Sequence, residues 1–395
     1  MKKSIVFGLL TVILVLAIAS GTPKKTKFWK GNMHTHSYWS DGDTYPEEVA
    51  YWFKSNGYNF LAVTDHNILQ ETDKWYHVDR NKDRRANYEE YLKHFGGVGL
   101  DTDKRDDGLW VKLRKIDDYR QEFEKDNEFI LISSEEITDG AEGKPVHLGA
   151  INSSNLIKPT KGETVAECLK MNVDEMRRNL MKDGNPEWII VNHPNFGWAL
   201  EASDIANSGA RFFEVFNGHP SVRNYGSDDY LSTEDMWDEA NRIRIINNQE
   251  ILYGVANDDS HNYLDFKVGK ANPGRGWTMV RSENLTTESL YSAMLEGDFY
   301  ASTGVELEEL KVSSKSIRIK ILSEPEINYT IEFIAWVPGE NRMKIVSTVK
   351  GSKATYKFTG DEGFVRARIS STELKENPYQ EGDYEMAWTQ PVLVN

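Results

Sequence analysis

Short apolar runs alternate with amphipathic stretches over the first three quarters of the chain, and each run stops at polar residues. The runs lie in FWKGNMHTH, FLAVTDHN, FILISSEEIT, PVHLGAINSS, WIIVNHPN, FFEVFNGH and LYGVANDDSH. Helical periodicity flanks most of them, and PEEVAYWFKSNG begins at Pro46, a residue typical of a first helical turn. Strands that alternate with helices predict an α/β fold with a parallel sheet.

The position of the polar residues narrows the architecture. In a closed α/β barrel, the side chains at the C-terminal ends of all strands converge on one face. Seven runs end in polar residues, and no Gly-x-Gly-x-x-Gly follows any of them. This pattern predicts a distorted TIM-like (β/α)7 barrel rather than an open nucleotide-binding sheet. We therefore expect the functional site at the C-terminal face of the strands.

The pattern changes in two regions. Residues 71–127 are rich in charged and aromatic side chains, which predicts a partial insertion over the mouth of the barrel. Over residues 308–395, short strands such as SIRIKIL, YTIEFIAWV and FVRARIS are separated by turn residues. The second pattern is typical of a small all-β sandwich. We therefore expect a barrel domain over 27–307 and a β-sandwich domain over 308–395.

The first residues have the composition of an export signal. Lys2 and Lys3 precede the apolar run SIVFGLLTVILVLAIA, and the small residues Ser20 and Gly21 follow it. This arrangement predicts a signal peptide over 1–21 and a periplasmic or extracellular protein with no other membrane association. A retained membrane anchor is the alternative, for which the run is short, because a bilayer span takes about 20 residues.

Composition and charge exclude some classes of partner. The chain has 395 residues, a formal net charge of −15 and one cysteine, Cys168. A single cysteine rules out an intramolecular disulfide. The acidic balance argues against a nucleic-acid partner, because phosphate backbones are bound by clustered lysine and arginine. A protein of this charge needs cations other than its own side chains to bind a phosphate compound.

Histidines and acids are concentrated where the apolar runs end. In MHTHSYWSDG a His-x-His pair points both imidazoles to the same side of a strand, so both could bind one ion. Imidazole with carboxylate, and without cysteine, favours zinc, manganese or iron in an open catalytic site. Six of the nine histidines share this placement, namely His34, His36, His66, His147, His193 and His261, and the neighbouring acids are Asp41, Asp65, Glu135, Glu136, Asp258 and Asp259.

Five ordered motifs resemble those of the polymerase and histidinol phosphatase (PHP) family. They are HTHSYWSDG, AVTDHN, SEEIT followed by HLGAINS, VNHPN and DDSH, and the resemblance covers roughly residues 30–305. Glu136 and His147 are eleven positions apart, as in the branch of the family with a Glu-then-His element, so the resemblance implies Glu136 rather than Glu135 as a ligand. The resemblance implies three divalent ions in a distorted (β/α)7 barrel, and hydrolysis of phosphoesters.

The resemblance also implies how the ligands divide among the ions. One ion is expected at His34, His36, Glu136 and Asp259. Glu136 is expected to bridge to a second ion at His147 and His193, and the third is expected at Asp41, His66 and His261. Clustered divalent ions lower the pKa of water and neutralise phosphate oxygens, which explains how an acidic protein could act on a phosphoester.

Other polar residues near the expected mouth are candidates for the remaining roles. The candidates for the leaving-group acid are Asp65, Asp258 and His219. For Asp65, we favour the alternative that it orients neighbouring ligands. Arg275 lies in a glycine-flanked loop where its guanidinium could bind phosphate. The substrate contacts that we expect come from Arg275, Asn217, Asn67 and Tyr38.

These observations predict a metal-dependent hydrolase of a small-molecule phosphoester, either a monoester or a diester. Two alternatives stay open. An amidohydrolase-like enzyme would act on C–N or C–O bonds, but such enzymes commonly bridge their metals with a modified lysine where this chain has Glu136. A non-catalytic extracellular binding protein rarely needs three open metal sites. The sequence indicates no oligomeric state.

Overall fold

The computed structural model describes residues 26–97 and 99–394. The signal peptide predicted over 1–21 lies outside these residues. Within them, no helix combines the length and the apolar character needed to cross a bilayer. The fold is mixed α/β, and most strands belong to one large mixed sheet.

The described residues form seven helices and twenty strands. The helices are α1 (Pro46–Ser55), α2 (Lys82–Phe95), α3 (Ile116–Phe123), α4 (Val165–Lys182), α5 (Ala202–Ser208), α6 (Thr233–Ile246) and α7 (Thr287–Leu295). The first twelve strands are β1 (Lys27–Asn32), β2 (Phe60–Val63), β3 (Trp75–His77), β4 (Thr102–Arg105), β5 (Gly108–Lys112), β6 (Ile130–Ala141), β7 (Lys144–Ile151), β8 (Ile189–Val191), β9 (Phe212–Asn217), β10 (Tyr253–Asn257), β11 (Trp277–Ser282) and β12 (Phe299–Ser302). The other eight are β13 (Leu307–Ser313), β14 (Ser316–Ile321), β15 (Tyr329–Trp336), β16 (Lys344–Lys350), β17 (Lys353–Lys357), β18 (Phe364–Leu374), β19 (Tyr384–Thr389) and β20 (Val392–Leu393).

The helices begin where the sequence supplies a cap. Pro46 opens α1, as its fixed backbone angle favours. The Thr164 side chain accepts a hydrogen bond from the Glu167 amide at the start of α4, and Ser232 does the same for Asp235 in α6. Helices α4, α5 and α6 bury their apolar faces, with Cys168 among them, against the strands from β7 to β9.

The seven predicted runs form strands β1, β2, β6, β7, β8, β9 and β10, which are neighbours in the large sheet. Pairing is parallel from β1 through β2 to β6, and again from β8 through β9 to β10. The prediction of an all-parallel sheet is wrong at β7, which is antiparallel to both β6 and β8. Only Glu142 and Gly143 separate β6 from β7, and their φ angles of 53° and 74° suit a two-residue hairpin rather than a helical crossover.

The two ends of this seven-strand run meet just beyond β1 and β10. The His36 amide donates to the Ser260 carbonyl over 2.9 Å, and the Asp259 amide donates to the His34 carbonyl over 2.9 Å. Thr35 and Ser260 form a parallel bridge. These contacts bring the two ligand-bearing segments, 34–36 and 258–261, side by side.

The large sheet continues into the C-terminal region through antiparallel pairs of β1 with β11, β11 with β12, and β12 with β19. From Leu307 to Leu393 the described chain forms strands only, as the turn pattern suggested. Strands β13, β14 and β17 make a separate three-stranded sheet. Apolar residues of both sheets, such as Ile317, Ile319, Phe333 and Ile369, share one core.

Residues 71–127, which we call the 71–127 lobe, carry α2, α3 and a three-stranded sheet of β3, β5 and β4. Aromatic rings attach the lobe to the segment after β1. Tyr38 stacks on Tyr76 with 3.8 Å between ring centroids, and Tyr45 lies 4.5 Å from Tyr91. The lobe therefore packs against the chain that leads from the His-x-His pair to α1.

Candidate metal centre

The nine predicted ligands lie together at one end of the seven-strand run. Four overlapping groups place their ligand atoms within 4.8 Å of one another, and every predicted ligand belongs to at least one group. The groups are His34, His36 and Asp259; His34, Glu136 and His193; His66, Glu136 and His147; and His36, Asp41, His66 and His261.

Strand direction explains why His147 reaches this cluster. The parallel strands β1, β2, β8 and β10 deliver their ligands just after the strand ends, as the sequence predicts. His147 instead lies near the start of β7. Because β7 is antiparallel to β6, its first half lies beside the last part of β6, and Thr138 pairs directly with His147.

Glu136 lies at the centre of the cluster and is fully buried. Although burial alone would raise the pKa of this carboxyl, the histidines around it hold the pKa well below its usual range. Glu136 therefore stays ionised and can serve more than one cation. Its Oε1 lies 3.1 Å from His34 Nε2, 3.2 Å from His193 Nε2 and 3.4 Å from His147 Nδ1, and its Oε2 lies 2.7 Å from His66 Nδ1.

The neighbouring Glu135 points elsewhere, as side-chain alternation along a strand requires. Its Oε1 accepts a hydrogen bond of 2.7 Å from the Ile157 amide. The structure therefore places Glu136, and not Glu135, among the clustered ligand atoms.

The groups differ from the sets that the family resemblance implies, most clearly in the places of His147 and His193, while His36 also groups with Asp41, His66 and His261. His193 groups with His34 and Glu136, whereas His147 groups with His66 and Glu136. His147 and His193 are nevertheless close, with 4.8 Å between their ring centroids. Glu136 is common to both groups and is the one carboxylate that can bridge them.

The donor set fits divalent cations. The His34 Nε2, His36 Nε2 and His147 Nδ1 atoms are buried without a hydrogen-bond partner, and such atoms are costly unless another interaction satisfies them. Burial, with His261 nearby, lowers the pKa of His36 to about 4, and burial also lowers the pKa of His147. Neutral imidazoles with free lone pairs are the form that binds a metal ion.

Two ligand residues have a left-handed backbone. His193 has a φ of 21° and Asp259 a φ of 49°. Residues other than glycine adopt this region uncommonly, and aspartate and histidine are among those that tolerate it best.

Glu214, which sequence reasoning did not single out, holds the buried part of the cluster in place. This residue of β9 is fully buried. Its Oε1 lies 2.8 Å from His34 Nδ1, and its Oε2 accepts the His193 amide at 2.8 Å. A carboxylate on one imidazole nitrogen fixes the ring so that the other nitrogen faces a metal. The available signal was a lone glutamate inside the buried run RFFEVFN.

Asp65 does not face the ligands, so its prediction as a catalytic acid is wrong. The carboxylate is fully buried and accepts hydrogen bonds from the Ser37 amide and hydroxyl, each over 2.8 Å. It also accepts from the Ser40 hydroxyl at 2.6 Å. Ser40 Oγ lies 3.3 Å from His36 Nδ1, so Asp65 positions His36 through Ser40. This agrees with the favoured alternative of an orienting role, through His36 rather than His66.

Asp258 and Arg275 hold a loop together, so their predicted roles in proton transfer and phosphate binding are also wrong. The Asp258 carboxylate is fully buried and accepts the amides of Gly274, Arg275 and Gly276 over 2.6 to 2.9 Å. The Arg275 side chain is equally buried and donates to the carbonyls of Gly218 and Lys267.

Three residues that were predicted to contact the substrate are hydrogen-bonded to other parts of the protein. Asn217 Nδ2 donates to Asp259 Oδ2 at 3.2 Å and therefore positions a ligand. The Asn67 side chain makes two hydrogen bonds to the backbone of Thr138. Its Nδ2 donates to the carbonyl and its Oδ1 accepts from the amide, each over 2.9 Å. The Tyr38 hydroxyl accepts from Asn87 over 2.6 Å, and its ring is buried against the 71–127 lobe.

His219 is the one predicted catalytic residue that lies beside the ligands. Its ring centroid is 5.3 Å from that of His261. Nδ1 accepts a hydrogen bond from the Ser221 amide, which places the proton of a neutral ring on Nε2. Burial lowers the pKa of His219 to about 4, so a neutral ring that donates a hydrogen bond fits better than a protonated general acid.

The C-terminal region touches the loops that carry these residues. In the segment between β18 and β19, Lys375 Nζ donates to the Arg275 carbonyl at 2.5 Å, and Asn377 Nδ2 donates to the Pro273 carbonyl at 2.9 Å. Arg366 of β18 forms a buried ion pair of 2.6 Å with Asp238 of α6. The strand-only region is thus joined to the ligand loops by buried polar contacts.

Comparison with known proteins gives likenesses to solved structures. No family model matches the chain, and no curated protein matches it. It is similar to a solved two-domain protein from Bacteroides vulgatus ATCC 8482, described as containing a predicted PHP-like metal-dependent phosphoesterase. The identity is 16%, the TM-score is 0.41, and the match covers 93% of this chain and 95% of the other.

Proposed function

We propose that this protein is a PHP-type, metal-dependent hydrolase of phosphoesters, with a trinuclear centre in a distorted seven-stranded barrel. The observation that carries the proposal is the clustering of six histidines and three carboxylates, with three buried ligand nitrogens that lack a hydrogen-bond partner. The order and spacing of the motifs support a phosphoester as the substrate.

Each residue of the centre has a role that follows from its position. Glu136 bridges the groups, Glu214 and Asn217 orient His34 and Asp259, and the Asp65 carboxylate acts on His36 through Ser40. Divalent ions bound there supply water activation and neutralisation of phosphate charge. The chain itself supplies His219 Nε2 as a hydrogen-bond donor for an ester oxygen, and the fold keeps these groups in place before substrate arrives.

Metal analysis and an ester panel test the proposal. We expect the purified protein to contain zinc, manganese or iron and to hydrolyse some phosphate monoesters or diesters. The His193→Ala variant should lose bound metal and about a thousandfold or more in kcat, because it removes a buried ligand beside Glu136.

His94→Ala is the matched control, since His94 is an exposed histidine of α2 that pairs with Glu48. It should keep the metal content and activity of the wild type. Equal activity in the wild type and in His193→Ala would refute the site, and a metal-loaded protein inactive on every ester would refute the function.

A further inference from the structure

A row of hydrogen bonds, which we call the relay, leads from the metal centre into the 71–127 lobe. Its members in order are His36, Ser40, Asp65, Gln70 and Tyr119. All are buried except Ser40, which is half-buried. Tyr119 belongs to α3 of the lobe, a helix that carries none of the clustered ligands. The relay therefore connects a ligand to a part of the protein that supplies none.

The Asp65 carboxylate is the junction of the relay and accepts four hydrogen bonds. Its Oδ1 accepts from the Ser37 amide at 2.8 Å and from the Ser40 hydroxyl at 2.6 Å. Its Oδ2 accepts from the Ser37 hydroxyl and from Gln70 Nε2, each over 2.8 Å. Because a carboxylate has no proton to donate, the hydroxyl proton of Ser40 points at Asp65. The Ser40 oxygen is then an acceptor towards its other neighbour.

That neighbour is the ligand His36. Ser40 Oγ lies 3.3 Å from His36 Nδ1, and Asp41 Oδ1 lies 3.8 Å from the same nitrogen. Both oxygens are acceptors, so they favour a neutral ring with its proton on Nδ1. The lone pair of the ring is then on Nε2, which is the nitrogen that a cation can bind.

The second nitrogen of His36 explains why this support matters. Nε2 lies 3.2 Å from Asp259 Oδ1 and 3.8 Å from Glu136 Oε2, and it has no hydrogen-bond partner. Carboxylates on this side attract the ring proton to Nε2, where it would occupy the lone pair that a cation needs. The Ser40 contact opposes that form. It therefore favours the form of His36 that binds a metal ion together with Asp259.

The lobe fixes the far end of the relay. The Ile116 amide at the start of α3 donates to the Gln70 carbonyl over 2.9 Å. Tyr119 lies three residues later on the same face of the helix, and its hydroxyl donates to Gln70 Oε1 at 2.6 Å. With Oε1 bound to this hydroxyl, Gln70 turns its Nε2 to Asp65. The lobe therefore sets the orientation of the Gln70 side-chain amide.

We propose that Gln70 and Tyr119 are positioning residues for metal binding. They act through the Asp65 carboxylate and the Ser40 hydroxyl. Their effect is that His36 carries its proton on Nδ1 and offers Nε2 to a cation. The inference rests on the proposed function, because it takes His36 as a metal ligand, and it assigns the lobe a part in metal binding. Groups that fix a ligating histidine through its other nitrogen change metal affinity by about 10–100-fold.

A double-mutant cycle on zinc affinity tests the inference. Competition with a chromogenic chelator measures the affinity of the wild type, Ser40→Ala, Gln70→Met and the double variant. We expect Ser40→Ala to weaken zinc binding by about tenfold and Gln70→Met to weaken it by a smaller factor. The double variant should bind zinc as Ser40→Ala does, because Gln70 acts through Ser40. Losses that add in the double variant would overturn the inference.

Three single variants separate positioning from general loosening of the fold. Ser40→Thr keeps the hydroxyl and should keep the affinity. Tyr119→Phe removes only the hydroxyl that orients Gln70 and should weaken zinc binding less than Gln70→Met does. Tyr45→Phe is the matched control, because the Tyr45 hydroxyl is also buried beside the lobe but has no hydrogen-bond partner among residues 26–97 and 99–394. A loss in Tyr45→Phe equal to that in Tyr119→Phe would overturn the inference.

The magnetic resonance of the His36 Nδ1 proton gives a direct readout of the relay. It is recorded on the zinc-loaded protein with isotope-labelled histidine and identified by its absence in His36→Gln. The resonance should shift in Ser40→Ala and, by less, in Gln70→Met, whereas Ser40→Thr should stay close to the wild type. An unchanged resonance in Ser40→Ala would overturn the inference. If these shifts appear in a protein that hydrolyses no phosphate ester, the proposed function alone is refuted.

Discussion

The metal centre has a buried half and an open half, and the two are built differently. In the buried half, which comprises His34, Glu136, His193 and Asp259, every ligand side chain is at most 7% exposed. In the open half, which comprises Asp41, His66 and His261, exposure rises from 16% to 58%.

The buried half is held in place by groups that are not themselves ligands. Glu214 fixes His34 and the backbone of His193, and Asn192 Nδ2 donates to Glu136 Oε1 at 2.8 Å. In the open half, His66 Nδ1 lies 2.6 Å from Thr138 Oγ1 and His261 Nδ1 lies 2.9 Å from the Asp259 carbonyl oxygen, so both rings are also held. Asp41 contacts histidines only, with Oδ1 at 3.3 Å from His261 Nε2 and 3.5 Å from His66 Nε2. We infer that the buried half is preorganised, whereas Asp41 takes its final position when a cation and substrate bind.

The test with the largest expected effect compares the Glu136→Gln variant with the Glu135→Gln variant. Glu136→Gln removes the charge shared by two ligand groups. We expect kcat to fall about a thousandfold or more and most of the bound metal to be lost. Glu135 directly precedes Glu136 and is equally buried, but its carboxyl accepts a hydrogen bond from the Ile157 amide.

Glu135→Gln should therefore keep the metal content and activity, because glutamine can accept the same amide. Elemental analysis and steady-state kinetics on both variants make the measurement. Metal loss in Glu135→Gln as large as in Glu136→Gln would show that the two carboxylates are not distinguished as the structure places them.

Glu214→Gln tests whether the buried half depends on its supporting groups. An amide retains one acceptor oxygen but loses the charge that fixes the His34 tautomer, so metal affinity should fall by about 10–100-fold. Competition with a chromogenic chelator measures the affinity directly. Glu187→Gln, which removes a carboxylate that pairs with Arg177 away from the ligands, is the control. Unchanged affinity in Glu214→Gln would mean that His34 needs no support.

Asp41→Asn examines the open half. Because Asp41 is 58% exposed, water screens its charge, and the substitution should lower kcat by only about tenfold. The variant should lose metal in part and keep the portion bound in the buried half. Complete metal loss would refute the division into halves. Asp73→Asn, on an exposed acid that pairs with Lys112 in the 71–127 lobe, should behave as the wild type.

The sequence predicted residues of both halves that the structure brings together, because motif order, spacing and the ends of apolar runs all pointed to the same positions. It failed for the acids next to ligands. Asp65 precedes His66 and Asp258 precedes Asp259, and successive side chains at the end of a strand point to opposite faces. This alternation predicts that the side chains of both acids point away from the metal centre.

Other features needed the tertiary structure. The partners of Arg275 come from loops separated along the chain, so its burial could not be derived from a glycine-flanked motif. The reversal of β7 depended on the two-residue connection at Glu142 and Gly143, which the sequence shows as EG between two apolar runs. Glu214 was visible as one acid in a buried strand, but its partners are residues far away in sequence.

The comparison in which no change at the metal centre is expected concerns the attachment of the 71–127 lobe, which packs against the segment between the His-x-His pair and α1. Glu47 of α1 is fully buried, accepts a hydrogen bond of 2.9 Å from the Tyr91 hydroxyl of the lobe, and lies 3.6 Å from Arg114. Burial raises its pKa to about 7. A carboxyl whose pKa is higher in the folded than in the unfolded chain stabilises the fold fully at pH below the unfolded value, and this contribution is lost as pH rises through about 7.

Glu47→Gln cannot ionise, so its melting temperature should fall less than that of the wild type between pH 5 and 8. The difference should approach about 3 kcal/mol of unfolding free energy. Metal bound in the buried half should be the same in both proteins throughout. Parallel melting curves for the two proteins would show that Glu47 does not titrate in this range. A pH-dependent loss of buried metal in the wild type alone would show instead that the lobe supports both halves.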